Sequence, residues 1–240
     1  MIIDYHSHLK WDRKTNTYNS FDLLNDMTNN GINIRVVSAL YGNSIREQND
    51  VVANLVKNNH NLMGCAVINP KLSDCVQEMQ RIIELGCFKA IELDSMEHCY
   101  YPEECDALDE IFKLASENSL LVNVYTGWGC RTMPAQWALY AERYPKVKMV
   151  LLHMGTTDFG YGCINLVPQL DNLFIETSCM YELPILRKAF NNISHDRFIF
   201  GSHYPHKFTK CSIDTFELLN LSTDTRNKLF YENAQKLLKI

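Results

Sequence analysis

Residues 1–9 read MIIDYHSHL, an apolar, β-branched start that closes on two histidines. In a doubly wound open sheet the first strand normally runs into a glycine-rich turn that receives a phosphate. No such turn follows here. Outward from this first strand, taken as 2–6, short apolar segments recur at 34–40, 62–68, 88–93, 120–125, 147–153, 173–178 and 198–202. Their starts lie about 28 residues apart, the length of a strand, a helix and two short loops. The intervening stretches 73–85 (Val76, Met79, Ile82, Ile83) and 105–119 (Leu108, Ile111, Phe112, Leu114, Ala115) repeat at the helical period. Eight such units predict an α/β chain, residues 1–240 as a single domain, closed into a (β/α)8 TIM barrel, an architecture of about 250 residues. Its active site is then expected at the C-terminal ends of the strands.

Composition narrows the function classes. With 23 basic and 28 acidic residues the formal charge is −5, and no basic run offers a footprint for nucleic acid. No apolar run approaches the ~20 residues that would cross a bilayer. The nine cysteines are odd in number and lack paired CxxC spacing, which fits a reducing cytoplasm better than a disulfide scaffold or a zinc ribbon. The first residues carry no export signal, so a cytoplasmic enzyme is the expectation.

Strand parity then selects candidate site residues. Asp4, His6 and His8 alternate along the first strand and are expected on one side, the two histidines facing the barrel interior. Two imidazoles so spaced at a strand end can chelate one divalent cation. His153 ends the sixth strand and His203 the eighth. His60 and His195 precede strands and belong to the opposite face, while His98 and His206 fall in loops. Glu92 and Asp94 share a parity that carries both carboxylates to the pocket mouth, where a metal, an imidazolium or a basic side chain must offset their burial. Asn123 and Tyr125 end strand five with the same parity, and the Tyr125 phenol can orient a water or a substrate oxygen. Basic residues follow several strands: Lys10, Arg13, Arg46, Arg131, Lys207 and Lys210. Of these, Arg131 beside Trp128 is the candidate for gripping the carboxylate of a small anionic substrate. Cys99, Cys130 and Cys179, after strands four, five and seven, could add soft ligands, although inert burial is the commoner fate of such thiols.

The segments MIIDYHSHL, GCFKAIELD, LVNVYTGWG, KMVLLHMG, NLFIETS, FIFGSHYPH and YENAQKLL, in this order and spacing, resemble the amidohydrolase-2 family of metal-dependent hydrolases and decarboxylases, which includes the aminocarboxymuconate-semialdehyde decarboxylase-like barrels. The resemblance spans nearly the whole chain. It implies a (β/α)8 barrel with one catalytic divalent ion, usually zinc, held by His6, His8 and residues of later strands. His153 matches the family's strand-six histidine, which the resemblance implies ligates a second metal or polarises the substrate. Two positions depart from the pattern: Tyr125 stands where the family has a strand-five histidine, and His203 where it has a strand-eight aspartate, a ligand and the usual base.

The function that this resemblance implies is that of a metal-dependent hydrolase of a small carboxylate, ester, lactone or amide. His6, His8 and His203 would bind zinc, and Glu92, Asp94 or His153 would take the proton of the attacking water. A nonhydrolytic decarboxylase on the same scaffold is the alternative, and a degenerate, noncatalytic barrel the third reading. Phosphoester hydrolysis ranks below these. Short loops around an open mouth are compatible with a homodimer.

Overall fold

The structure, a computed structural model, describes residues 1–240. Eight parallel strands pair in chain order: β1 (Ile3–His8), β2 (Ile34–Ser38), β3 (Leu62–Val67), β4 (Phe88–Leu93), β5 (Leu121–Tyr125), β6 (Met149–Leu152), β7 (Leu173–Glu176) and β8 (Phe198–Ile199). The ring closes where β1 meets the chain beyond β8. There Tyr5 N–H donates to Phe200 O at 2.9 Å, His203 N–H to His6 O at 2.8 Å and His8 N–H to Tyr204 O at 2.6 Å. This is the barrel that the strand spacing predicts, and no helix is long and apolar enough to cross a membrane.

A helix follows every strand: α1 (Ser20–Asn30), α2 (Ile45–Lys57), α3 (Cys75–Leu85), α4 (Ala107–Glu117), α5 (Pro134–Arg143), α6 (Thr156–Leu166), α7 (Leu183–Asn192) and α8 (Thr209–Glu217). Local chemistry sets their ends. The Asn19 side chain accepts from Asp22 N–H to open α1, and Gly31, at φ 66°, returns its N–H to Met27 O and Thr28 O to close it. Ser44 caps α2 in the same way as Asn19 caps α1. The amphipathic stretches 73–85 and 105–119 become α3 and α4, with Met79 and Ile82, and with Leu108, Ile111 and Phe112, buried against the sheet. A short antiparallel hairpin, Lys10–Asp12 with Thr17–Asn19, follows β1, and the strand spacing gave no sign of it.

Two apolar cores result. The larger lies between strands and helices. The smaller fills the barrel with Ile3, Tyr5, Val36, Cys65, Ala90, Val150, Leu152 and Ile199, joined from below by Ala234 and Leu238 of the C-terminal helix α10 (Asn233–Leu238), which follows the short α9 (Thr223–Asn227). The filled lower half leaves only the upper end open for a site. His195 lies at the lower end, as its place before β8 requires. It is built in as a clamp, with Nδ1 2.9 Å from Thr225 Oγ1 and Nε2 3.0 Å from Phe190 O.

Candidate functional site

The register of β1 decides which side chains enter the barrel. Asp4 pairs with Arg35 but Ser7 pairs with Val37, so β1 carries an extra residue between them. Such a bulge reverses the alternation beyond it. Tyr5 and His6 both face inward: Tyr5 Oη donates to Asn123 Oδ1 at 2.9 Å, and His6 meets Glu92 and Glu176. His8 follows on the inside. Asp4 does not, which corrects the expectation that all three residues share a side. Its carboxylate turns to the helix layer, accepting from Arg35 Nε at 2.9 Å and Ser202 Oγ at 2.6 Å, while Arg35 continues to Asp26 at 2.7 Å.

Four imidazoles meet at the top of the ring. The centroid of His6 lies 4.8 Å from that of His8, 4.9 Å from His153 and 5.1 Å from His203, and His153 and His203 are 4.5 Å apart. Two serines orient them. Ser38 Oγ donates to Glu92 Oε2 at 2.7 Å, so its oxygen is free to accept the His8 Nδ1 proton, also at 2.7 Å. Ser178 Oγ donates to Glu176 Oε2 at 2.7 Å and in the same way accepts from His153 Nδ1 at 2.8 Å. Both relays place the ring proton on Nδ1 and leave Nε2 with a lone pair. His6 sits between the relays, Nδ1 3.3 Å from Glu176 Oε2 and Nε2 3.5 Å from Glu92 Oε1. The Nε2 atoms of His6, His8 and His153 are buried and have no hydrogen-bond partner.

The charges follow from this packing. Burial, then the neighbouring imidazoles, drives His153 and His203 far below the ordinary histidine range. Burial likewise drives His8 down, against the pull of Glu92. Burial opposes a charge on His6 too, but Glu176 and Glu92 outweigh it and raise the group to about 10. Burial opposes ionisation of Glu92, and there His8, His6 and the Ser38 hydroxyl prevail and hold the carboxyl at about 2. The site therefore carries carboxylate charge facing lone pairs, with one proton on His6 standing where a cation would serve better. His6, His8 and Glu92 place a donor atom each within 4.8 Å of one another, as do His6, His153 and Glu176. Imidazole and carboxylate donors of this kind suit a divalent metal, and three unpartnered ring nitrogens fit that use.

A cavity of about 280 Å³ opens above the histidines, walled by Asp94, Tyr125, Trp128, His203, His206 and Lys207 among others. Burial, with Glu92 adding repulsion, raises Asp94 to about 7, although its Oδ1 accepts from the Met96 and Glu97 N–H groups at 2.9 Å. The structure thus brings Glu92, Asp94, Tyr125, Trp128, His153 and His203 to one end of the barrel. Arg131 is not on the cavity wall: its guanidinium lies over the Tyr101 ring at 5.4 Å, and Lys207 supplies the cation there. His206, read as a loop residue, stands 4.9 Å from the His203 ring. Glu176, Ser38 and Ser178 escape the sequence reading. Glu176 closes an apolar strand as its lone acid, and Glu92 is the lone acid one residue from the end of its own.

Comparison with known proteins adds context. A family model described as amidohydrolase matches residues 3–240. The gamma-resorcylate decarboxylase of Polaromonas sp. is 26% identical over 179 residues, covering 59% of this chain and 55% of the relative. The chain thus spans about half the length of that curated relative. Among solved structures, an uncharacterised TIM-barrel protein from Bordetella bronchiseptica superposes with a TM-score of 0.81 at 19% identity, covering 99% of this chain and 98% of that one. The 5-carboxyvanillate decarboxylase of Novosphingobium aromaticivorans, solved with bound manganese and 3-methoxy-4-hydroxy-5-nitrobenzoic acid, gives 0.74 at 14% identity, covering 100% and 97%. These structures share the fold.

Proposed function

Since the chain belongs to the amidohydrolase family, we propose that it is a metal-dependent decarboxylase of a small aromatic or enoic acid. The hydrolysis that the resemblance first suggests gives way to this alternative, which the match to a decarboxylase favours. The observation that carries the reading is Asp94. Loss of carbon dioxide requires an acid for the carbon left behind, and Asp94 is a buried carboxyl on the cavity wall whose burial raises it to about 7, so that a share of it keeps its proton at neutral pH. The carbon–carbon bond breaks, the carbon keeps the electron pair and takes the Asp94 proton, and solvent returns one to the carboxylate. Tyr125 and Trp128 flank a planar acid, and Lys207 offsets its negative charge as it enters. His6, His8 and Glu92 would hold a divalent ion, which supplies Lewis-acid polarisation of a substrate oxygen when bound.

Hydrolysis is the second reading, because imidazole and carboxylate donors able to hold a water-activating ion serve either reaction. Carbon dioxide release from gamma-resorcylate and 5-carboxyvanillate, measured beside cleavage of a generic ester and lactone by metal-loaded protein, separates the two. Release of carbon dioxide without ester or lactone cleavage is the expected result, and the reverse pattern overturns the proposal.

A further inference from the structure

We infer that His153, Cys179 and His203 form a second metal site, of two imidazole nitrogens and one thiolate, for a borderline-soft cation of the zinc type. The three residues offer donor atoms within 4.8 Å of one another, from three different strand ends. The Cys179 sulfur is 3.1 Å from His203 Nδ1. His153 is fully buried, its Nδ1 is committed to Ser178, and its Nε2 has no partner. A buried lone pair left idle beside a thiol and a second neutral imidazole is a ligand set suited to an ion. Sulfur beside nitrogen selects zinc, cobalt or copper(I) over magnesium, calcium or manganese, whose sites are built from oxygen.

The backbone points the same way. His153, Cys179 and His203 each stand shortly after a strand with φ at 62°, 61° and 57°, the left-handed region that favours glycine and is costly for these side chains. Cys99 and Cys130, the other cysteines offered as soft ligands, are exposed and take no part. Binding would expel the thiol proton of Cys179 to solvent and bring one negative charge to the ion. The inference needs none of His6, His8 or Glu92. It gives His203 a place apart from the first ion and leaves Glu92 as that ion's third donor.

Titration of the metal-free full chain with cobalt(II) alone tests it. Two equivalents should bind, one of them bringing the near-ultraviolet absorption of a thiolate-to-cobalt transition. Cys179→Ser should lose that absorption and one equivalent. His6→Ala should keep the absorption and lose the other equivalent, so failure of the first site is told apart from failure of the second. A wild-type chain without the absorption, or Cys179→Ser that keeps it through the exposed thiols, overturns the proposal. If Cys179→Ser does not fold, X-ray absorption of the zinc-loaded wild type decides. A sulfur neighbour at about 2.3 Å supports the site, and a shell of nitrogen and oxygen alone refutes it.

Discussion

A hydroxyl between a carboxylate and an imidazole fixes both a ring angle and a proton. Ser178 does this for His153 and Ser38 for His8. Ser178→Ala removes the acceptor for His153 Nδ1 and one donor to Glu176, so the ring is free to change tautomer. We expect metal affinity and kcat/KM to fall about 10- to 100-fold with the fold intact, read by dialysis against graded chelator and by circular dichroism. Asp94 gives a second prediction. Its carboxyl, raised to about 7 from 3.8, binds a proton more tightly in the folded chain than in the unfolded one. That contribution to stability is complete below the ordinary carboxylate range and is lost as pH rises through about 7. Decarboxylation, which needs the acid form, should fall over the same interval. In Asp94→Asn turnover should drop about 10²- to 10⁴-fold and the alkaline limb should vanish from the pH profile of kcat/KM. At this scale the sequence made His6, His8, Glu92 and Asp94 legible because a polar residue ending an apolar strand stands out. Ser38 and Ser178 were not legible, since a serine's role depends on which ring lies across from it.

The elements were read more fully than their irregularities. Eight segments of apolar residues at regular spacing are enough to imply the barrel, and 73–85 and 105–119 needed only their ends trimmed to become α3 and α4. What alternation could not show is the extra residue in β1 that swings Asp4 out while keeping His6 and His8 in, because a bulge arises from pairing with β2 and not from β1 itself. The seam beyond β8 has a comparable hidden constraint. At Gly201 a Cβ would fall on the Glu176 carboxylate and within 3.0 Å of the His6 Cβ. Glycine is required there by the close approach of the two side chains. Gly201→Ala should therefore push Glu176 off His6 and Ser178, costing about 1–3 kcal/mol of stability. Urea unfolding would measure the cost. A wild-type midpoint together with wild-type metal retention would show that the carboxylate does not sit over this residue.

Over the whole molecule, stability and chemistry occupy opposite ends of the same barrel. The upper end spends its interior on four histidines and two carboxylates, groups that do not pack as an apolar core does. The lower interior compensates with a plug drawn from the far end of the chain: Ala234 and Leu238 rise into the ring beneath Ile3, Tyr5 and Ile199, and Asn233 Nδ2 anchors the helix to His195 O and Phe198 O at 2.8 and 2.9 Å. The motif YENAQKLL thus works as a stopper, which explains its apolar spacing although no residue in it reaches the cavity. Leu238 is 2% exposed, so Leu238→Ala removes buried carbon and leaves a void that strands around it cannot close. The loss should be about 2–5 kcal/mol, and at roughly 2–4 °C per kcal/mol for a chain of this size the melting temperature should fall by about 4–20 °C. Because the void lies at the end away from the site, kcat/KM and metal content at 25 °C should stay at their wild-type values. A variant that melts normally, or one that loses metal while still folded, would show that the two ends are not independent.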